Sequence, residues 1–115
     1  MSQSYGLYNY LATVIRVVDG DTIELQIDLG FKMHYRTTCR LYGIDTPELK
    51  IPTQKEAAKL AKAAVEELIP SGVAVRIESR ELDKYGRALV EVYLDGRLET
   101  SLNQWLIDKG HAKPY

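Results

Sequence analysis

Apolar residues cluster on both sides of Asp19-Gly20, with Val14, Ile15, Val17 and Val18 before it and Ile23, Leu25, Ile27 and Leu29 alternating with Glu24, Gln26 and Asp28 after it. A period of two puts one set of side chains on a dry face and the other in water, so the segment from Ala12 to Leu29 predicts two strands joined at an Asp-Gly turn. Asp21 shares the parity of the dry face but stands just past the turn. Its carboxylate therefore belongs at the rim of a core, where a charge requires a cation. Gly30 marks a bend, and Lys32 to Ile44, rich in Tyr and Thr, returns as a third strand that carries Arg40 and delivers Asp45 just beyond its end. Pro47 restricts Thr46 to extended or turn geometry, which fixes Asp45-Thr46-Pro47-Glu48 as a loop at the mouth of the sheet.

The period then changes. Ala57, Leu60, Ala61, Ala64, Val65 and Leu68 recur at three and four and predict a helix, with Thr53 and Glu56 as a capping box and Pro70 and Gly72 as the stop. Lys55, Lys59, Lys62, Glu66 and Glu67 form its wet face. Val73, Val75 and Ile77 alternate as a fourth strand; Ala88, Val90, Val92 and Leu94 alternate as a fifth, up to Asp95-Gly96. Arg80, Lys84 and Arg87 bring positive charge to the connection between them. A second helix starts near Thr100 or Ser101, with Ser101 and Gln104 as a capping pair, turns Leu102, Trp105 and Leu106 inward and ends at Gly110. The order of three strands, helix, two strands, helix is mainly β with packed helices. It is compatible with a five-stranded Greek-key barrel of the oligonucleotide-binding type, and a small open α+β sheet is the architectural rival. No repeat or long linker divides the chain, so residues 1–115 are expected to form one domain.

Composition narrows the function. With 115 residues, 45% hydrophobic and 27% charged, the chain has the make-up of an ordinary folded domain rather than a disordered one. No run approaches the roughly 20 apolar residues that span a bilayer. Met1 to Gly6 lacks the basic start and apolar run of an export signal, so the expectation is a cytoplasmic protein without a membrane partner, secretion requiring a leader that these residues do not carry. Fifteen Lys and Arg against 16 Asp and Glu exclude nucleic-acid binding by global positive charge; such a partner must meet a local basic patch. One cysteine, Cys39, excludes an intrachain disulfide and a four-thiolate zinc site.

Taken singly, Asp19 reads as a hairpin-turn residue. Asp21, Asp45 and Glu48 can supply hard oxygen ligands and a proton acceptor, or simple surface acidity. Arg40 and Arg87 can form structural ion pairs or, beside a carboxylate–metal centre, bind a phosphodiester through charge-assisted hydrogen bonds. His34 and His111 fall in no ligand pattern with these acids, and Cys39 has no paired histidine.

Three stretches taken together are more specific: Val18-Asp19-Gly20-Asp21-Thr22, Arg40-Leu41-Tyr42-Gly43-Ile44-Asp45-Thr46-Pro47-Glu48 and Asp83-Lys84-Tyr85-Gly86-Arg87. In this order they resemble the signature regions of the staphylococcal nuclease-like, or thermonuclease, family, and the likeness covers roughly residues 10–113. The resemblance implies an oligonucleotide-binding barrel with added helices and calcium-dependent hydrolysis of DNA and RNA, acting as a monomer on single-stranded or locally open strands with little sequence specificity. By position it makes Asp21 and Asp45 Ca2+ ligands together with the Thr46 backbone carbonyl. Glu48 then orients or activates the attacking water, Arg40 and Arg87 neutralise the scissile phosphate, and Lys84 and Tyr85 are accessory phosphate contacts. Cleavage of the bond to the 5′ oxygen would leave a 3′-phosphate and a 5′-hydroxyl. An oxygen-rich set of this kind suits calcium better than zinc. Two departures bear on rate and substrate preference: the segment between Glu48 and the helix is shorter than in the familiar secreted relative, and a third helix is absent from these residues. The alternatives are a noncatalytic nucleic-acid-binding or protein-interaction barrel, in which the same charges are architectural, and a metal-dependent phosphodiesterase of short nucleotides.

Overall fold

A computed structural model of the chain describes residues 8–82 and 86–115, the side chains of Glu81 and Leu82 excepted. Five strands close a barrel: β1 (Asn9–Asp19), β2 (Thr22–Gly30), β3 (Met33–Leu41), β5 (Ala74–Leu82) and β6 (Ala88–Tyr93), in the spatial order β1-β2-β3-β6-β5 with β5 returning to β1. Closure excludes the open sheet and gives the oligonucleotide-binding arrangement. It depends on β1 serving two partners. Ala12 to Asp19 pair with β2, while Asn9 to Thr13 pair with β5, and register shifts between Val14 and Arg16 and between Val17 and Asp19 mark irregularities of the kind that bend a strand. The seam between β3 and β6 is parallel and short, with Cys39, Arg40 and Leu41 opposite Ala88, Leu89 and Val90.

Inside the barrel Val14, Ile23, Leu25, Cys39, Leu41, Ile77, Val90 and Val92 are each at most 1% exposed. The same core takes in Val65 and Ile69, on and just after α1 (Lys55–Leu68), and Leu102 and Leu106 of α2 (Leu102–Asp108), all fully buried. Burial pushes the Cys39 thiol up to about 11, which makes it a packing residue and a poor thiolate.

Several expected boundaries move, each for a local reason. The third strand stops at Leu41 because Gly43 turns the chain at φ +76°; Ile44–Asp45 forms a separate short strand, β4, paired with β7 (Lys113–Pro114). The fourth strand continues past Glu78 to Leu82 across an irregularity between Ser79 and Glu81, so Arg80 is a strand residue, paired with Glu78 and Glu91. The capping box of Thr53 and Glu56 does not form: Pro52–Gln54 make a 3₁₀ turn, and Gln54 is the cap residue of α1 without a side-chain cap bond. The buried line of α1 runs through Ala58, Ala61 and Val65, leaving Leu60 exposed. With alanine at so many positions the period fits more than one phase, and the close approach of Ala61 to the β1–β2 turn, described below, selects this one. At α2 the expected pair is present, Ser101 Oγ accepting the Gln104 N–H at 3.1 Å.

Asn103 ties α2 to the barrel and is 3% exposed. Its Oδ1 accepts the Val92 N–H at 3.1 Å, and its Nδ2 donates to the carbonyls of Tyr42, at 2.9 Å, and Val90, at 3.1 Å. Two of these partners are barrel-strand groups next to the parallel seam. Asn103→Ala leaves three buried backbone groups without that partner, and the expected loss in a urea unfolding series is about 3 kcal/mol. A loss below about 1 kcal/mol contradicts the role given to this side chain.

Candidate active site

The barrel register builds one polar corner. Thr22 at the start of β2 pairs with Arg40 near the end of β3, and the Leu41 N–H donates to the Asp21 carbonyl at 2.8 Å, so the turn after β1 is sewn to the strand that carries Arg40. An open cleft of about 930 Å3 lies there, and Asp21, Arg40, Asp45, Thr46, Glu48 and Arg87 all line it. The structure thus brings together six of the residues singled out from the sequence. Lys84 and Tyr85 lie outside the described residues.

Asp21 is 8% exposed, and its carboxylate accepts three hydrogen bonds. Oδ2 accepts from Arg40 Nη2 and from the Thr46 N–H, both at 3.3 Å, and Oδ1 accepts from Thr22 Oγ1 at 3.0 Å. The same Arg40 Nη2 donates to Asp45 Oδ1 at 3.2 Å. One guanidinium therefore stands between two carboxylates, which orients both of them toward a common point. Arg40 is also held by Tyr115, whose ring centroid lies 5.2 Å from the guanidinium carbon and whose N–H donates to the Gly43 carbonyl at 3.0 Å. Nothing in the periodicity marks this tyrosine; the β4–β7 pairing places it.

Glu48 is exposed on the same cleft, at the end of the Asp45–Glu48 loop. Asp19 lines the cleft too, a residue the sequence reading left as a turn former. Burial, then the neighbouring charges of Asp21 and Glu48, raise its pKa against the opposing pull of Lys62 and Lys50. His34 and His111 do not line the cleft; His111 packs by Trp105, with ring centroids 6.2 Å apart.

The oxygen donors suit a hard cation that shares its shell with water and phosphate. Two carboxylates converge beside Thr46, and calcium takes six to eight oxygens in irregular geometry. Among the described residues no group of three or more His, Cys, Asp or Glu is placed to hold a metal ion. The Thr46 hydroxyl is buried without a hydrogen-bond partner, and it faces the Gly20 backbone.

The fold is a closed five-stranded barrel with packed helices, and comparison with known sequences assigns its family. The chain belongs to the staphylococcal nuclease homologue family, whose model matches residues 38–115, the part that carries Arg40, Asp45, Glu48 and Arg87. It is 33% identical to a thermonuclease of Staphylococcus hyicus over 106 residues, covering 87% of this chain and 56% of the relative. It is 36% identical to endonuclease YncB of Bacillus subtilis over 110 residues, covering 88% of this chain and 46% of the relative. An uncharacterized endonuclease of Escherichia coli is 31% identical over 102 residues, covering 89% of this chain and 59% of the relative. The chain thus spans about half the length of these curated relatives.

Gly20 sets the height of the Asp19–Asp21 turn. A Cβ there would stand 3.0 Å from Ala61 Cβ and 3.2 Å from Thr46 Cγ2 and Oγ1, so the turn, helix α1 and the site loop meet tightly enough that an added side chain forces a neighbour to give way. Gly20→Ala is expected to cost about 1–3 kcal/mol. In a double-mutant cycle Ala61→Gly should relieve part of that cost, with a coupling of about 1 kcal/mol. Strict additivity of the two changes contradicts the contact.

Proposed function

We propose that this chain is a calcium-dependent nuclease that hydrolyses phosphodiester bonds of single-stranded or locally open DNA, and of RNA, with little sequence specificity, leaving 3′-phosphate and 5′-hydroxyl ends. The observation that carries the reading is the single Arg40 nitrogen that bonds both Asp21 and Asp45 on a cleft shared with Glu48 and Arg87. Surface ion pairs do not require two carboxylates to face one cation at the edge of a core. A phosphodiester site does, because the phosphate, its developing charge and its counter-charges must be held at one place.

Each residue then has a task. Arg40 uses one nitrogen for the carboxylates, and the remaining N–H groups of its planar fork suit two phosphate oxygens. Arg87, immediately before β6, supplies a second cation to the same cleft. Glu48 accepts the proton of the attacking water; its exposed carboxylate is on the cleft without displacing the acids at the corner. Asp21, Asp45 and the Thr46 carbonyl are the groups that would hold Ca2+, which when bound supplies Lewis-acid polarisation of a phosphate oxygen and charge neutralisation. Contacts of this kind read phosphate and not base, which accounts for the expected lack of sequence preference. The names of the relatives, a thermonuclease and endonucleases, support the same reaction class.

The test is cleavage of end-labelled single-stranded DNA with calcium and with excess chelator. Wild type should give fragments only with calcium. Glu48→Gln should lower kcat by about 10²–10⁴-fold. Arg40→Lys, which keeps the charge and loses the fork, should lower it by about 10²-fold, both variants retaining the circular dichroism spectrum of the wild type. Binding of DNA with no fragments from any of these proteins would replace the nuclease with a noncatalytic barrel.

A further inference from the structure

Glu48 stands on a loop with little beneath it. A recess of about 310 Å3 lies on the far side of Asp45–Glu48 from the cleft, with Gln54, His111 and Lys113 among its walls. Thr46 is packed into the molecule at 3% exposure, but exposed Glu48 at the far end of the loop is held by a ring of hydrogen bonds. The Glu48 N–H donates to Gln54 Oε1 at 2.9 Å, the Gln54 N–H donates to the Ile51 carbonyl at 2.9 Å, and the Ile51 N–H donates to the Glu48 carbonyl at 3.2 Å. Glu48 is thereby tied at both ends of its own backbone unit, and one of the three bonds comes from a side chain.

Gln54 is the cap residue of α1, where an oxygen commonly accepts an orphan N–H of the first turn, and it makes no such bond. Its amide oxygen turns away from its own helix and back to Glu48. Its backbone lies at φ -106°, ψ -5°, which continues the 3₁₀ turn and is not the extended conformation of a side-chain cap, so the helix start makes no use of the amide. A longer side chain is needed to span from the helix start to the loop.

We propose that Gln54 is a positioning residue for the hydrolysis: by accepting the Glu48 N–H it fixes the backbone from which the Glu48 carboxylate reaches the cleft that holds Asp21, Arg40 and Asp45. The assignment rests on the nuclease reading above and deepens it. Misplacement of a catalytic group by about 1 Å can cost about 10²-fold in rate, so one hydrogen bond at the base of Glu48 has leverage on turnover that it lacks on stability.

The experiment compares wild type, Gln54→Ser and Gln54→Glu in calcium, reading kcat and KM on a single-stranded oligonucleotide, the melting temperature, and hydrogen exchange of the Glu48 amide. Serine is too short to reach Glu48; glutamate keeps an acceptor oxygen at the same length. Gln54→Ser should melt within about 5 °C of the wild type, expose the Glu48 amide to exchange, and lose about tenfold in kcat with KM within about twofold. Gln54→Glu should keep kcat within about threefold of wild type. A Gln54→Ser protein with wild-type kcat, or one that loses rate only as it loses melting temperature, overturns the assignment and leaves the nuclease reading intact. So does a Gln54→Glu protein as slow as Gln54→Ser. A wild type that cleaves nothing overturns the nuclease reading and this assignment with it.

Discussion

Arg40 solves an electrostatic problem that the barrel creates for itself. The strand alternation that buries Ile23, Leu25 and Ile27 also draws Asp21 into the rim, where it is 8% exposed, and an ionised carboxylate there needs a partner. The β2–β3 register puts Arg40 one residue away, and the same nitrogen reaches Asp45 after the chain turns at Gly43. The rest of the corner follows from this one group: the Thr46 N–H completes Asp21, Tyr115 covers the guanidinium, and the parallel seam lays Arg87 and Leu89 along the same cleft.

Much of this was legible because the responsible signals are local. Period-two alternation located β1, β2 and β6 within a few residues, Ser101 marked the start of α2, and Pro47 announced a fixed loop holding Asp45, Thr46 and Glu48. The order of motifs then carried the site residues, since Asp21, Arg40, Asp45, Glu48 and Arg87 line one cleft although up to 66 positions separate them in sequence, from Asp21 to Arg87.

What stayed hidden depends on tertiary contact. The alanine-rich α1 offers several apolar phases, and only the tight meeting of Ala61 with Gly20 and the Thr46 side chain decides among them. Gln54 reads as an ordinary polar residue until its amide is seen on the Glu48 N–H. Asp19 reads as a turn former until burial and the nearby Asp21 and Glu48 charges show it to be part of the cleft. Tyr115 is one of eight tyrosines, and only the pairing of β4 with β7 sets it over Arg40. In each case the side chain's surroundings are set by a contact that no period or motif encodes.

The barrel supplies rigidity and the corner supplies charge; together they gather Arg40 and Arg87 on one cleft in a protein whose formal net charge is -1. The central claim is that water attacks phosphorus with departure of the 5′ oxygen at this corner. Mass spectrometry of the products from a defined single-stranded oligonucleotide cut in calcium tests it most directly. The account predicts new ends that carry 3′-phosphate and 5′-hydroxyl; fragments with 5′-phosphate and 3′-hydroxyl, or an oligonucleotide returned intact, would contradict it.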